Sequence, residues 1–384
     1  MASLKDRLEA LRRDVRKEPQ YSGPPGSSAG GGESVRGAPE PSGWEREGDF
    51  VFRREQTFRL REETLGRIRC AADFFLDRAE PKTLLWYDTE TTGLSGGAGT
   101  HVFLYGGARI EGGEARLTQI FLADFPGEKA FLSAVTRNFA GSGCMLSYNG
   151  RAFDAPLLKN RFIVSRMSCR LPPQFDLLFV SRRLWKGILP DCSLGSVERH
   201  ILGKNRENDI PGMLIPQVYF DYLAGGGSAG MQRVASHHRD DILSLIGLFA
   251  RFGEIIRSPS AFLSGKKLHA AALGLMLENR RPGAGISILR EAARGGDMRA
   301  LVWISRRYKR AGDFSAAEKL WTALAEKNAF AALELAKYFE HRRGDYEGAL
   351  RLTERLLSQA SAARADLSAL KKRRERLIRK LSGN

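Results

Sequence analysis

Two carboxylates set two residues apart in an otherwise apolar run are the first residues able to do chemistry: Leu84-Leu85-Trp86-Tyr87-Asp88-Thr89-Glu90-Thr91-Thr92-Gly93. Alternation along a strand sends residues two apart to the same side, so Asp88 and Glu90 converge on one patch of space. Adjacent acids resist ionising together unless a cation shares them, which points to a metal site. The plainer reading is a strand end carrying two solvated acids. Asp154 follows the short apolar run Met145-Leu146-Ser147-Tyr148 and the Asn149-Gly150 turn. It reads either as a helix N-cap ahead of Ala155-Pro156 or as a third acid delivered from a strand end. In His237-His238-Arg239-Asp240-Asp241, a helix puts His237 and Asp241 on one face and turns Asp240 away; the plainer reading is a surface His-Asp pair. Together, Asp88, Glu90, Asp154 and Asp241 can bind two divalent ions, Mg²⁺ or Mn²⁺, roughly 4 Å apart, an arrangement that clamps the attacking and leaving oxygens of phosphodiester hydrolysis. His237 is then the expected general base, since an unperturbed imidazole titrates near pH ~6.5.

These side chains need a scaffold, and the chain of 384 residues and 42.6 kDa is long enough for two domains. Its net charge of +17 and pI near 10.0 suit a polyanionic partner, nucleic acid or an anionic lipid surface. The four cysteines, Cys70, Cys144, Cys169 and Cys192, form no CxxC pair, which argues against a zinc or disulfide framework and for a reducing compartment. No apolar run reaches membrane-spanning length and the N-terminus lacks a signal-peptide core, so the expectation is a cytoplasmic protein.

Leu4, Leu8, Leu11 and Val15 predict an amphipathic helix over residues 1–19, followed by a Gly/Pro/Ser linker over 20–43 that is expected to be disordered. A lead-in segment spans 44–80, with a helical pattern through Leu65, Ile68, Ala72 and Phe75. After the acidic strand, the glycine-rich turn 95–100 lacks the P-loop lysine and opens no helix, so it is read as a tight turn. Val102 to Ile110 and Ala115 to Leu122 predict a hairpin through Glu111-Gly112-Gly113. Ser193 and Gly203 bracket a predicted helix, and Met231 to Phe252 predicts a long one. The basic and aromatic stretch at Arg182, Arg183, Trp185 and Lys186 suits a groove that tracks a phosphate backbone, or equally a surface helix.

The motifs DTETTGLSGGAGT, SYNGRAFDAPLL, FDLLFVSRRLW, DCSLGSVE, NDIPG and HHRDDILSL together resemble the DEDD exonucleases of the ribonuclease H-like superfamily, and within them the YprB-like family of predicted 3′-5′ exonucleases. The resemblance implies an α/β fold with a mixed sheet flanked by helices, Asp88 and Glu90 on its central strand, and divalent-metal-dependent attack on DNA or RNA. It implies Asp88, Glu90, Asp154 and Asp241 as metal ligands, with Thr91, Asn149, Phe153 and Arg183 as substrate contacts. DEDD enzymes usually carry Tyr-x3-Asp or His-x4-Asp before the last acid. This chain has His237 at the x3 spacing and Ser236 at x4, which leaves His238 as the alternative base. Asp176 is read as a supporting residue.

The expected nuclease domain covers 81–258, and residues 262–384 read as an all-α region of tetratricopeptide-like repeats. Gly312-Asp313-Phe314 returns as Gly344-Asp345-Tyr346, with Ala284, Ala316 and Gly348 in step and Trp303, Tyr308, Trp321, Leu335 and Tyr338 placed in packed faces. An ordinary helical bundle is the alternative. Stacked helices would make a surface for a protein partner. The basic end, Lys371 to Lys380, reads as a solvated tail or as added affinity for phosphates. The functional expectation is a metal-dependent nuclease. Its alternative is a non-catalytic protein that keeps the fold as a nucleic-acid clamp.

Overall fold

The computed structural model describes residues 41, 43–93, 99–206, 209–263, 268–359 and 367–383. The expected helix over 1–19, nearly all of the 20–43 linker and most of the 95–100 turn lie outside them.

Strands β1 (Glu45–Gly48), β2 (Val51–Arg59), β3 (Leu84–Thr91), β4 (Val102–Glu111), β5 (Glu114–Leu122), β6 (Cys144–Ser147) and β7 (Gln174–Asp176) form one sheet in the order β1-β2-β5-β4-β3-β6-β7. The β4–β5 hairpin closes through Gly112 (φ +58°) and Gly113 (φ +85°), the backbone that a two-residue turn between twisted strands requires. The lead-in segment is part of this sheet, since β2 pairs with β5 along its full length. β3 runs antiparallel to β4 but parallel to β6, and β6 parallel to β7. The carboxyl ends of β3, β6 and β7 therefore open on the same side, where open α/β sheets place their ligands.

Helices cover both faces. They are α1 (Glu62–Phe75), α2 (Glu128–Phe139), α3 (Asp154–Val164), α4 (Leu177–Trp185), α5 (Leu194–Val197), α6 (Ile215–Leu223) and the 29-residue α7 (Ala229–Arg257). Alternation along β3 divides the core: Leu84 and Trp86 pack with Ile68 of α1 and Phe249 of α7. Leu85 and Tyr87 pack with Phe131 of α2 and Leu158 of α3. Asp88 and Glu90 continue the row that faces α7, so the register which buries Leu84 and Trp86 also aims the two acids at His237 and Asp241.

Close approach of α7 depends on glycine. A Cβ on Gly106 of β4 would lie 2.3 Å from Ile242 Cδ1 and 2.5 Å from His238 Cε1. One on Gly253 would lie 1.8 Å from the Arg67 carbonyl of α1.

Beyond α8 (Ser260–Leu263) come α9 (Ala270–Arg280), α10 (Ile286–Arg294), α11 (Met298–Arg310), α12 (Phe314–Leu324), α13 (Ala329–Tyr338), α14 (Tyr346–Gln359) and α15 (Leu367–Leu381). The His269 N–H donates to Leu184 O at 2.9 Å, tying the start of α9 to α4. The recurrent Gly-Asp pair has a local cause: Gly312 and Gly344 take φ of +79° and +72°, and the following aspartates cap helices. Asp313 accepts from the Ala316 N–H at 3.0 Å and Asp345 from the Gly348 N–H at 2.8 Å. A third such start, Gly296-Asp297, opens α11, half a period before Gly312-Asp313. Shared capping chemistry thus gives the recurring Gly-Asp pair a local cause at successive helix starts. Trp321 and Leu335 are buried as expected, and Tyr338 stacks on Phe314. Tyr308 corrects the expectation: it lies 38% exposed, on the outer side of α11.

The basic C-terminal helix is partly structural. Arg373 and Arg376 both bond Glu340, whose side chain is fully buried. Burial works to raise the Glu340 pKa, but Arg376 and Arg373 hold it below the ordinary carboxylate range. Among the described residues no helix is long and apolar enough to cross a membrane.

Gly106→Ala is expected to push α7 off the sheet and to cost about 1–3 kcal/mol by overpacking. Chemical denaturation checks this, and an unchanged midpoint would mean that α7 shifts freely on β4.

Candidate active site

The end of β3 passes beneath the middle of α7. Glu90, His237 and Asp241 each offer a ligand atom, and those atoms lie within 4.8 Å of one another. Asp88 and Asp154 stand in the same field. The Asp88 carboxyl is raised well above its ordinary range by burial and then by Asp154, Asp241 and Glu90. Glu90 is raised likewise by burial and by Asp241, Asp154 and Asp209. Burial pushes Asp154 up to about 6 against the opposing hydrogen bond from Thr89. Asp241 is also raised by burial, while His237 and Arg206 oppose the shift.

Asp154 is the first residue of α3, and the N-cap position belongs to Phe153. The Asp154 side chain accepts a hydrogen bond from the Thr89 hydroxyl. Thr89 points to the opposite face of β3 from Asp88 and Glu90, so this bond fastens the third acid to the same strand end. Asp176 supports the neighbouring turn: its carboxylate accepts from the N–H groups of Asn149 at 2.8 Å, Arg151 at 3.3 Å and Leu178 at 3.0 Å. Asn149 sits there with φ +67°, the left-handed conformation that asparagine tolerates.

The two histidines differ sharply. His238 is fully buried between α7 and β4. Its Nδ1 takes a hydrogen bond from Gln119 Nε2 at 3.0 Å, and its Nε2–H donates to the Asp88 main-chain oxygen at 3.0 Å. Burial pushes its pKa down to about 3, so both ring nitrogens of the neutral imidazole are engaged. His237 presents an available face. Its Nδ1 lies 2.7 Å from Asp209 Oδ1, a contact that a proton on Nδ1 satisfies, and its Nε2 lies 3.5 Å from Asp241 Oδ2. Of the two imidazoles, His237 is the one that lies among the acids.

Behind this face stands Arg206. Its guanidinium donates to Asp241, Glu198 and, at 3.3 Å, Asp209. Glu198 is only 3% exposed and lies on the turn that follows α5.

The remaining expected contacts divide. Thr91 is buried at the strand end with its hydroxyl on the Gly93 carbonyl at 2.9 Å. Asn149 is exposed and Phe153 half-buried beside Asp154. Arg183 is brought elsewhere: it sits exposed on α4 and lines a cavity against α9 and α11.

The profile of the RNase_H superfamily matches residues 85–252, the span that carries every one of these acids. The uncharacterized protein YprB of Bacillus subtilis (strain 168) is 34% identical over 311 residues, which cover 78% of this chain and 75% of YprB. The chain belongs to the YprB-like family. Among solved structures, the family B DNA polymerase of the hyperthermophilic archaeon Pyrobaculum calidifontis is 15% identical with a TM-score of 0.33. That match covers 55% of this chain and 29% of the polymerase, a likeness too slight to inform function. RNase H-like membership points to nuclease chemistry and a divalent metal. The oxygen-rich donor set with one imidazole fits Mg²⁺ or Mn²⁺ rather than a thiolate-seeking ion. Crowding of partly buried acids is a physical reason for such a site to attract a cation.

Sequence reading missed Thr89, Glu198, Arg206 and Gln119 and gave Asp209 no role. Thr89, Glu198 and Asp209 lie inside the motifs DTETTG, DCSLGSVE and NDIPG, so their place there was the one available signal.

The direction of the shifts has a consequence for stability. Carboxyls raised in the folded state stabilise fully below their unfolded pKa values, and that contribution is lost as pH rises through the folded values, about 6 for Asp154. Chelator-treated protein should melt at a lower temperature at pH 8 than at pH 5, and Mn²⁺ should raise the melting temperature more at pH 8. An equal Mn²⁺ shift at both values, or none, would show that these acids bind no ion.

Proposed function

We propose that this protein is a divalent-metal-dependent nuclease that hydrolyses phosphodiester bonds of nucleic acid, acting from the 3′ end. The observation that carries the reading is the gathering of Asp88, Glu90, Asp154 and Asp241 at one strand end with the Nε2 lone pair of His237 among them. Asp88, Glu90, Asp154 and Asp241 would hold two Mg²⁺ or Mn²⁺ ions, which when bound acidify water and balance charge on the phosphate and the departing 3′ oxygen.

The chain's own groups do the rest. His237 accepts the proton of the attacking water at Nε2, and Asp209 steadies the imidazolium through Nδ1–H. Arg206 ties Asp241, Asp209 and Glu198 together, so α7 and the loop carrying Asp209 keep their relative position during turnover. Thr89 fixes Asp154. Thr91, Asn149 and Phe153 are assigned to the terminal nucleotide, the exposed Asn149 as hydrogen-bonding group and Phe153 as apolar contact. We assign residues 81–258 to catalysis and 262–384 to docking of substrate or partner, and a reducing, cytoplasmic setting agrees with the four free cysteines.

Incubating end-labelled single- and double-stranded DNA and RNA with Mg²⁺ or Mn²⁺ should give stepwise shortening from the 3′ end, and Asp88→Ala should abolish it. Degradation that persists in Asp88→Ala would place the activity elsewhere. No degradation of any substrate would leave the fold as a non-catalytic clamp.

His237→Ala is expected to slow turnover about 10²–10⁴-fold, the usual contribution of a general base. His238→Gln should instead lower the melting temperature, because Nε2–H anchors the strand at Asp88. A His237→Ala enzyme with the wild-type rate would remove His237 from the chemistry.

A further inference from the structure

A second concave surface lies apart from the acid cluster. α4, α9 and α11 enclose a cavity of about 620 Å³ lined by five arginines, one glutamate and Trp303. α11 supplies four of the five arginines and Trp303. Arg299, Trp303, Arg306, Arg307 and Arg310 follow one another at helical spacing and form one stripe, and Arg183 of α4 faces that stripe from the nuclease side.

The charge of this lining is unbalanced along the helix itself. Arg306 and Arg310 are four apart and Arg307 and Arg310 three apart, spacings at which like charges repel along a helix. The one carboxylate, Glu278, is already engaged, accepting from the Gly283 N–H at 3.0 Å and the Gly285 N–H at 3.1 Å. It approaches Arg307 only to 3.8 Å. Arg299 is paired with Asp297 at 3.3 Å. Among the described residues Arg183, Arg306 and Arg310 have no carboxylate partner.

Two of the guanidinium groups also contact aromatic rings. Arg306 lies 4.1 Å over the Phe330 ring and Arg307 5.7 Å over Trp303. Trp303 is half-buried against Ala271, Leu289 and Ala300, which fixes its ring at the cavity wall while leaving part of it accessible. Held arginines beside an accessible indole are what a single-stranded nucleic acid recognises: phosphates take the charges and an unpaired base stacks on the ring.

We propose that the α4–α9–α11 cavity is a second nucleic-acid site that binds the phosphodiester backbone of a single strand and stacks one base on Trp303. It rests on the nuclease reading for the identity of its ligand, but not on the catalytic groups. In this arrangement the C-terminal helices hold the strand while the β3 end acts on it.

The test is binding of a labelled single-stranded oligonucleotide to the full chain in EDTA, followed by fluorescence anisotropy across a salt series. EDTA suppresses hydrolysis, so binding and activity are read separately. Arg306→Gln/Arg310→Gln should weaken binding about ten-fold or more and reduce the slope of log affinity against log salt by about 1.4, near 0.7 for each phosphate that the variant no longer neutralises. Arg306→Lys/Arg310→Lys should retain the slope. Trp303→Ala should weaken binding roughly ten-fold with little change in slope. Because Trp303 also packs, the arginine pair decides.

Wild-type affinity and slope in the double glutamine variant would overturn the proposal. So would competition by polyglutamate equal to that of unlabelled oligonucleotide, which would identify an acidic polypeptide as the ligand. Loss of binding in the double variant of a protein that degrades nothing would sustain this site and refute the nuclease reading. Intact binding in a double variant that still degrades would do the reverse.

Discussion

Mutual repulsion among buried carboxylates is the constraint on which the rest of the structure depends. Burial and then the neighbouring acids raise Asp88 and Glu90, with Asp154 and Asp241 acting on both, so the fold must hold together a cluster that opposes its own assembly. It does so with bonds that are themselves buried. Thr89 secures Asp154, the His238 ring fastens α7 to the backbone at Asp88, and Gln119 fixes that ring from β5. Gly106 gives the helix its room. Most of these bonds make no use of the acids' charge, and together they form the scaffold against which the charge is held.

Arg206 balances part of that charge from outside the cluster. By bonding Asp241, Glu198 and Asp209 together it joins α7, the turn after α5 and the loop at Asp209 into one polar network. The same loop holds Nδ1 of His237 through Asp209. A stretch of chain between α5 and α6 therefore governs both the last acid and the imidazole beside it, although it contributes no strand and no long helix.

The positive charge of the chain is placed unevenly. Part of it is structural, as where Arg373 and Arg376 lie on the buried Glu340. On the α11 stripe, Arg306 and Arg310 have no carboxylate partner among the described residues. Arginines that neutralise buried acids contribute to folding, whereas those that repel one another along an exposed face leave a surface suited to polyanions.

How much was legible in the sequence follows from the range of each interaction. Alternation placed Asp88 and Glu90 on one side of β3, and the hairpin glycines and the caps at Ser193, Asp313 and Asp345 acted within a few residues, so elements and much of the candidate site could be read directly. The recurring Gly-Asp pair was legible too, because a capping motif repeats wherever helices start alike. Three things were decided only in three dimensions. The different surroundings of His237 and His238 depend on Gln119 and Asp209, neither of which is near them in the chain. The position of Arg183 depends on how α9 and α11 pack against α4. The role of Arg206 depends on three acids brought together from separate segments. Sequence spacing determines which side chains share a face, because backbone geometry is local; which faces meet is fixed by the packing of apolar surfaces far apart in the chain.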